Sequence, residues 1–285
     1  MTFGQQPQGN NANGFNGQPY GQNQYNPNQN PYGQNQYQYT PQNMYAQGAP
    51  AATIPAQATY SYERAEHASV TRAYGEMTIG LLVTAAVAIL TQATGAYIAL
   101  IQSLGVIGAW APFVVEIVIA IYLGARIEKI KPSTARVMFY VYAAIMGFSL
   151  STIFMVYDLG TIGISLALCA GFFFALTMLG MTTKVNMLKA GPILLVGLIV
   201  LIVAEVLLMI FAPGQTMLMV ISAIGLVLFA GMTVYDAQAT RALFAQYAGQ
   251  GEDMVKKVSI ICALNLYLDF INMFLYILQL FGDRD

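Results

Sequence analysis

From Ala73 onward the chain alternates long apolar stretches with short charged clusters. A helix needs about 20 apolar residues to cross the hydrocarbon core of a bilayer. Runs of that length predict seven spanning helices, near 75–95, 108–125, 135–156, 160–181, 190–211, 216–240 and 258–281. The runs are continuous rather than alternating, which excludes a membrane β-barrel. Between the first two spans an uncharged stretch extends from Met77 to Val115. Their boundary is therefore read from Gly105 and Gly108, with Trp110 and Pro112 as markers of the membrane interface.

The pattern is different before Glu63, the first charged residue. Within residues 1–50, Gln, Asn, Gly, Tyr and Pro make up 41 of 50 positions, and PYGQNQY occurs at 19–25 and again at 31–37. Such a segment has almost no aliphatic side chains whose burial could offset the entropy of ordering its backbone. Gln/Asn-rich tracts with spaced tyrosines are disordered and prone to self-association. With neither a basic start nor an apolar core, the segment is not a signal peptide. The predicted fold class is an all-α integral membrane protein, a seven-helix bundle over 63–285 preceded by a disordered tail over 1–62.

The charges set an expected orientation. Arg64 and Arg72 precede the first span, and Arg126, Lys129, Lys131 and Arg136 lie between the second and third. Lys184 and Lys189 follow the fourth, and Arg241, Lys256 and Lys257 lie between the sixth and seventh. These alternate loops hold 11 of the 12 basic residues; only Arg284 lies beyond the last span. Basic loops face the cytoplasm, so the expected protein is a multi-pass cell-membrane protein with its N-terminus inside and its C-terminus outside.

Composition narrows the chemistry. Hydrophobic residues are 57% of the 285 positions and charged residues 9%, against about 25% charged in soluble domains. A net charge of -1 leaves no nucleic-acid footprint. The single histidine, His67, excludes poly-His metal sites, and two cysteines, Cys169 and Cys262, cannot build a four-thiolate zinc site. Both cysteines stand in apolar runs and read as small buried hydrophobes.

The candidate chemistry lies in acids that a membrane should exclude. Glu116, Glu205, Asp236 and Asp269 fall within predicted spans, and no lysine or arginine lies well inside a span to neutralise them. Such acids face the bundle interior and must be protonated, share protons or bind a cation. In the seventh span, ALNLYLDFINMF places Asn265, Asp269 and Asn272 at i, i+4 and i+7, along one helix face. In the sixth, GMTVYDAQATR places Thr233, Asp236 and Thr240 at i, i+3 and i+7. Two polar seams on consecutive helices are what an ion pathway requires. At about 1.5 Å per residue from the flanking basic residues, Asp269 and Glu116 fall near mid-membrane and Asp236 nearer the cytoplasm. The aspartates then meet only if a helix tilts or the sixth continues below the membrane.

At these positions TVYDAQ and LYLDFIN resemble the Bax inhibitor-1 (transmembrane Bax-inhibitor-motif) family. The resemblance covers about Arg72 to Gly282, with the same number of spans and order of charged loops. It implies a seven-helix bundle with a central last helix and a pH-sensitive calcium leak. In bacterial members an aspartate on each of the last two helices shares a proton and acts as sensor and gate; the matching positions are Asp236 and Asp269. The family's latch, an arginine at the cytoplasmic end of the second helix, points to Arg126. The connection containing GQGED is longer than in compact members, and the tail lies outside the shared core.

Three readings follow. The favoured one is a proton-regulated, calcium-permeable leak, with Asp236 and Asp269 as tentative calcium ligands and Glu116, Asn265, Asn272, Thr233 and Arg126 in support. Calcium takes six to eight oxygens, so two aspartates imply passing occupancy. The expected partners are the lipid bilayer, calcium ions and protons, with no cofactor and no enzymatic activity. The second reading is a non-transporting membrane protein that modulates a membrane protease or stress response. The third, an intramembrane aspartyl protease, requires GxGD where this chain has LYLD, and no Pro-Ala-Leu follows.

Overall fold

The computed structural model describes residues 56–211 and 214–282, with side chains from Ser69 onward. Eight α-helices occur among them: α1 (Ala56–Thr94), α2 (Ala96–Leu104), α3 (Val106–Arg126), α4 (Pro132–Leu150), α5 (Leu159–Thr182), α6 (Gly191–Phe211), α7 (Gln215–Tyr247) and α8 (Glu252–Phe281). Seven of these, all except α2, include a segment long and apolar enough to cross a membrane. The seven-span, all-helical expectation therefore holds for the described residues, which contain no strand. Helix α1 starts at Ala56, so residues 56–62, given to the tail by composition, are helical. The rest of the proposed tail lies outside the described residues.

The boundary between the first two spans differs from the expected one. Gly95 (φ 66°) and Gly105 (φ 59°) flank the extra helix α2. Left-handed backbone favours glycine because it has no Cβ, so the two breaks fall at these glycines. Gly105 is one of the two boundary glycines expected, while Gly108 lies within α3 together with Trp110 and Pro112, the residues read as interface markers. Gly108 packs α3 closely against the backbone of Leu100 in α2.

Helix α8 forms the centre of the bundle. Of its apolar segment 72% is buried, against 6% for that of α6, which packs mainly along α7 at the periphery. Helices α1, α4, α5 and α7 all pack on α8. Leu266, Tyr267, Met273 and Leu278 of α8 are almost fully buried. The outward faces carry exposed aliphatics, such as Ile193 at 74% and Val227 at 74%. In water such a surface would be an aggregation hazard; against lipid it costs nothing.

Lipid does not drive helices together as water does, so close packing and internal polar bonds do. Helix α4 approaches α1 at Gly147, where a Cβ would collide with the backbone carbonyl of Thr84. The hydroxyl of Thr84 lies 3.0 Å from the Gly80 carbonyl, 2.9 Å from the Ala143 carbonyl and 2.6 Å from the Tyr267 hydroxyl. Carbonyls only accept, so Thr84 donates to one of them and Tyr267 donates to Thr84. One threonine thereby joins α1, α4 and α8. Before α5, Asp158 caps the helix by accepting from the Gly160 and Thr161 amides at 2.8 and 3.0 Å. The Thr161 hydroxyl and these amides hold its carboxyl below the ordinary carboxylate range.

A methyl group at Gly147 must push α1 and α4 apart. Gly147→Ala is expected to lower stability in detergent by about 1–3 kcal/mol, the usual range for overpacking. Gly171→Ala, where a Cβ meets nothing within 4 Å, is expected to be neutral or mildly stabilising in the same thermal melt.

Candidate functional site

The two aspartates singled out by spacing come together. Asp236 on α7 is 6% exposed and Asp269 on α8 is 1% exposed, and their carboxyl groups lie within hydrogen-bonding reach of each other. Helix α7 does not stop near 240 but continues to Tyr247, one of the two ways in which the aspartates were expected to meet. Helix α5 closes the third side. Gly180 lies against Val234 and Ala237, the residues flanking the Asp236 turn, where a larger side chain would clash.

Around the pair stand groups that carry no charge. Thr240, one turn from Asp236, lies beside the thiol of Cys262 on α8. Tyr74 on α1 lies within electrostatic range of both aspartates and of Cys262. Its hydroxyl faces that of Thr177 on α5 without closing a hydrogen bond. Oδ2 of Asp269 is likewise buried without a partner. Of four such unpaired buried side-chain atoms among the described residues, three, on Tyr74, Thr177 and Asp269, belong to this cluster. Buried polar atoms are nearly always satisfied, so their concentration here sets this cluster apart from the rest of the described bundle.

The supporting residues fare less uniformly. Thr233 donates to the Phe229 carbonyl at 2.8 Å and lies 3.2 Å from the Met273 sulfur, so it bonds within α7 and packs on α8. Asn265 is half-buried and makes no hydrogen bond to either aspartate. Asn272 donates to the Leu268 carbonyl at 2.8 Å and lines a different cavity, beside Glu205. Glu116 accepts from Ser149 at 2.7 Å, joining α3 to α4 at a separate location. Arg126 is exposed at the end of α3 and forms no ion pair with Asp236. The latch expected from the resemblance is therefore not formed in this state.

Sequence reasoning missed Tyr74 and Thr177, and it also missed a fifth buried acid. Glu76 on α1 is 7% exposed. It pairs with Arg136 of α4 at 2.6 Å and accepts from Tyr140 at 2.5 Å. Arg136, in the second turn of α4, thus neutralises Glu76, an acid outside the four singled out from the sequence. A further acid–hydroxyl pair, Tyr276 to Glu205 at 2.7 Å, joins α8 to α6.

Comparison with known proteins bears directly on these helices. A family model described as Inhibitor of apoptosis-promoting Bax1 matches residues 66–285, which include both aspartates. The chain belongs to the Bax inhibitor-1 family. The Escherichia coli K12 relative described as Inner membrane protein YbhL is 34% identical over 213 residues, 74% of this chain and 89% of that protein. An uncharacterized protein of Borreliella burgdorferi is 33% identical over 214 residues, 75% of this chain and 90% of its own. A Lactococcus lactis protein, YrjE, is 40% identical over 146 residues, 51% of this chain and 60% of its own. The family resemblance read from TVYDAQ and LYLDFIN is thus borne out, and this Bax inhibitor-1 family member is a multi-pass membrane protein.

Glu76 sits in a low-dielectric site with two partners, and removal of Arg136 leaves its carboxylate short of a donor. Arg136→Gln is expected to cost about 1–3 kcal/mol, towards the lower end because the Arg136 side chain is 42% exposed and screened by solvent. The double variant Glu76→Gln/Arg136→Gln is expected to melt higher than Arg136→Gln alone, since no uncompensated charge remains.

Proposed function

We propose that this protein is a pH-sensitive, calcium-permeable leak gated by the Asp236–Asp269 pair, with its N-terminus in the cytoplasm and its C-terminus outside. The approach of two buried carboxyl groups to within hydrogen-bonding reach carries this reading. Two carboxylates have no hydrogen to donate, so a bond between them requires one shared proton, and the pair titrates as a unit. In this reading the arrangement with α7 and α8 closed at this point is the one in which the pair holds a proton.

Loss of the proton leaves two like charges. At about 4 Å and an effective dielectric near 20, their repulsion is about 4 kcal/mol, several times the net worth of about 1 kcal/mol of the hydrogen bond it replaces. That imbalance is enough to part α7 from α8 at the aspartates. The parted carboxylates, with the unpaired oxygens of Tyr74 and Thr177 beside them, offer ligands to a passing cation. Calcium requires six to eight oxygens, and no group of three or more His, Cys, Asp or Glu side chains suited to a metal occurs among the described residues. The site fits transit rather than storage. Calcium and the shared proton compete for the same group, so conductance rises as the proton leaves.

Calcium flux into proteoliposomes, measured across pH, tests the reading. Wild-type protein is expected to show flux that increases with pH through the neutral range. Asp236→Asn and Asp269→Asn each keep side-chain shape and a hydrogen bond but remove one titrating member, and each is expected to flatten the profile. A variant with both substitutions that keeps the wild-type pH profile would contradict the pair as sensor and move attention to Glu116.

A further inference from the structure

A second polar locus lies at the end of the bundle opposite the basic loops. A cavity of about 520 Å³ opens between α6, the start of α7 and the last turns of α8. Its walls are apolar, formed by side chains such as Leu208, Leu218, Ile221 and Leu275. Its polar groups are Glu205, Asn272, Gln279 and Gln215, with the Tyr276 hydroxyl. Among the described residues, no lysine, arginine or histidine lines it. Helix rise of about 1.5 Å per residue puts Glu205 about 21 Å along α6 from Gly191, well away from the basic end.

The polar end is held in place by its neighbours. The Tyr276 ring lies against Gly225, where any Cβ would strike it, and packs on Phe229 with centroids 5.8 Å apart. So fixed, its hydroxyl donates to Oε1 of Glu205 at 2.7 Å. Asn272 is tied to the Leu268 carbonyl and Gln279 to the Ser222 hydroxyl, at 2.8 and 2.6 Å. The result is one oriented carboxyl group at the end of an apolar chamber.

Chemistry narrows the occupant. A chamber of this size falls within the range of about 300–1,000 Å³ of small-molecule sites, which are apolar with a few placed polar groups. A bare divalent ion fits poorly, because one carboxyl group and the amide oxygens of Asn272, Gln279 and Gln215 fall short of the six to eight oxygens that calcium takes. An anion or neutral sugar finds no cationic donor and too few polar groups. What matches an isolated carboxyl facing an apolar chamber is a primary ammonium carried on an apolar body, which gains a charge-assisted hydrogen bond and hydrophobic burial together. We infer that this cavity is a binding site for a small amphiphilic amine, with Glu205 as its ammonium acceptor. The inference is independent of the calcium reading and is tested by binding alone.

The probe is radiolabelled phenethylamine, titrated onto the full-length protein in phosphatidylcholine nanodiscs, with binding to empty nanodiscs subtracted. Saturable binding is expected for wild type and for Asp269→Asn. Glu205→Gln is expected to weaken it about tenfold or more, and Glu205→Asp, which restores the charge, to bring it back within about threefold of wild type. The neutral analogue 2-phenylethanol is expected not to compete. Adding phosphatidylethanolamine to the nanodiscs separates the natural sources of the ammonium: competition supports an aminolipid, and its absence supports a free amine. The inference is overturned if wild type shows no saturable binding, if Glu205→Gln binds as wild type, if 2-phenylethanol competes equally, or if Glu205→Asp stays as weak as Glu205→Gln. Displacement by calcium chloride at lower concentration than by unlabelled phenethylamine would also overturn it, as the mark of a metal site.

Discussion

Two carboxyl groups buried in an apolar bundle can touch only through a proton. Asp236 and Asp269 do touch, and the surrounding structure follows from the need to make that contact in a membrane. Helix α7 runs beyond the predicted end of its span to Tyr247, so Asp236 lies well inside a continuous helix. Gly180 lets α5 close on the same turn of α7. Helix α8 is buried along most of its length, so Asp269 has no lipid to face and no water to retreat to. A protonation change at this point must be answered by movement of helices rather than of one side chain.

The other intramembrane acids have different arrangements. Glu76 is neutralised by Arg136 and a tyrosine, Glu116 takes a serine hydroxyl, and Glu205 takes the hydroxyl of Tyr276. Each acid ties two helices together: α1 to α4, α3 to α4, α6 to α8. In hydrocarbon such polar bonds hold the bundle where apolar burial gives no net attraction. Only the aspartate pair joins two acids to each other, and only there do the unpaired oxygens gather, apart from Nε of Arg136. In the proposed function, the fixed bonds elsewhere are the scaffold and the unfinished network here is the moving part.

Much of this was legible in the sequence, for identifiable reasons. Charged clusters punctuate the apolar runs, so the seven spans could be counted, and the Asp236 and Asp269 seams stood out because carboxylates are costly in lipid. Helix α2 was not legible, because no charge occurs between Met77 and Val115; Gly95 and Gly105 carried the only local signal, through their left-handed backbone. Asn272 shares a helix face with Asp269 but lies nearly a turn further along, which brings it to the cavity beside Glu205. A shared face does not fix depth. Tyr74 and Thr177 were invisible because uncharged residues within apolar helices leave no pattern. Glu76 was overlooked because its neutralising partner, Arg136, reads as part of a cytoplasmic charge cluster when taken along the chain.

The central claim is that one proton is shared by the pair and that its loss parts α7 from α8. Infrared titration of the protein in lipid, following the carbonyl stretch of protonated carboxylic acids, observes that proton directly. The account predicts a single protonated carboxyl that disappears in one step together with a change in helix bands. In Asp236→Asn and in Asp269→Asn that coupled step is replaced by the isolated titration of the remaining acid. A wild-type signal that persists unchanged when both aspartates are replaced by asparagine would contradict it.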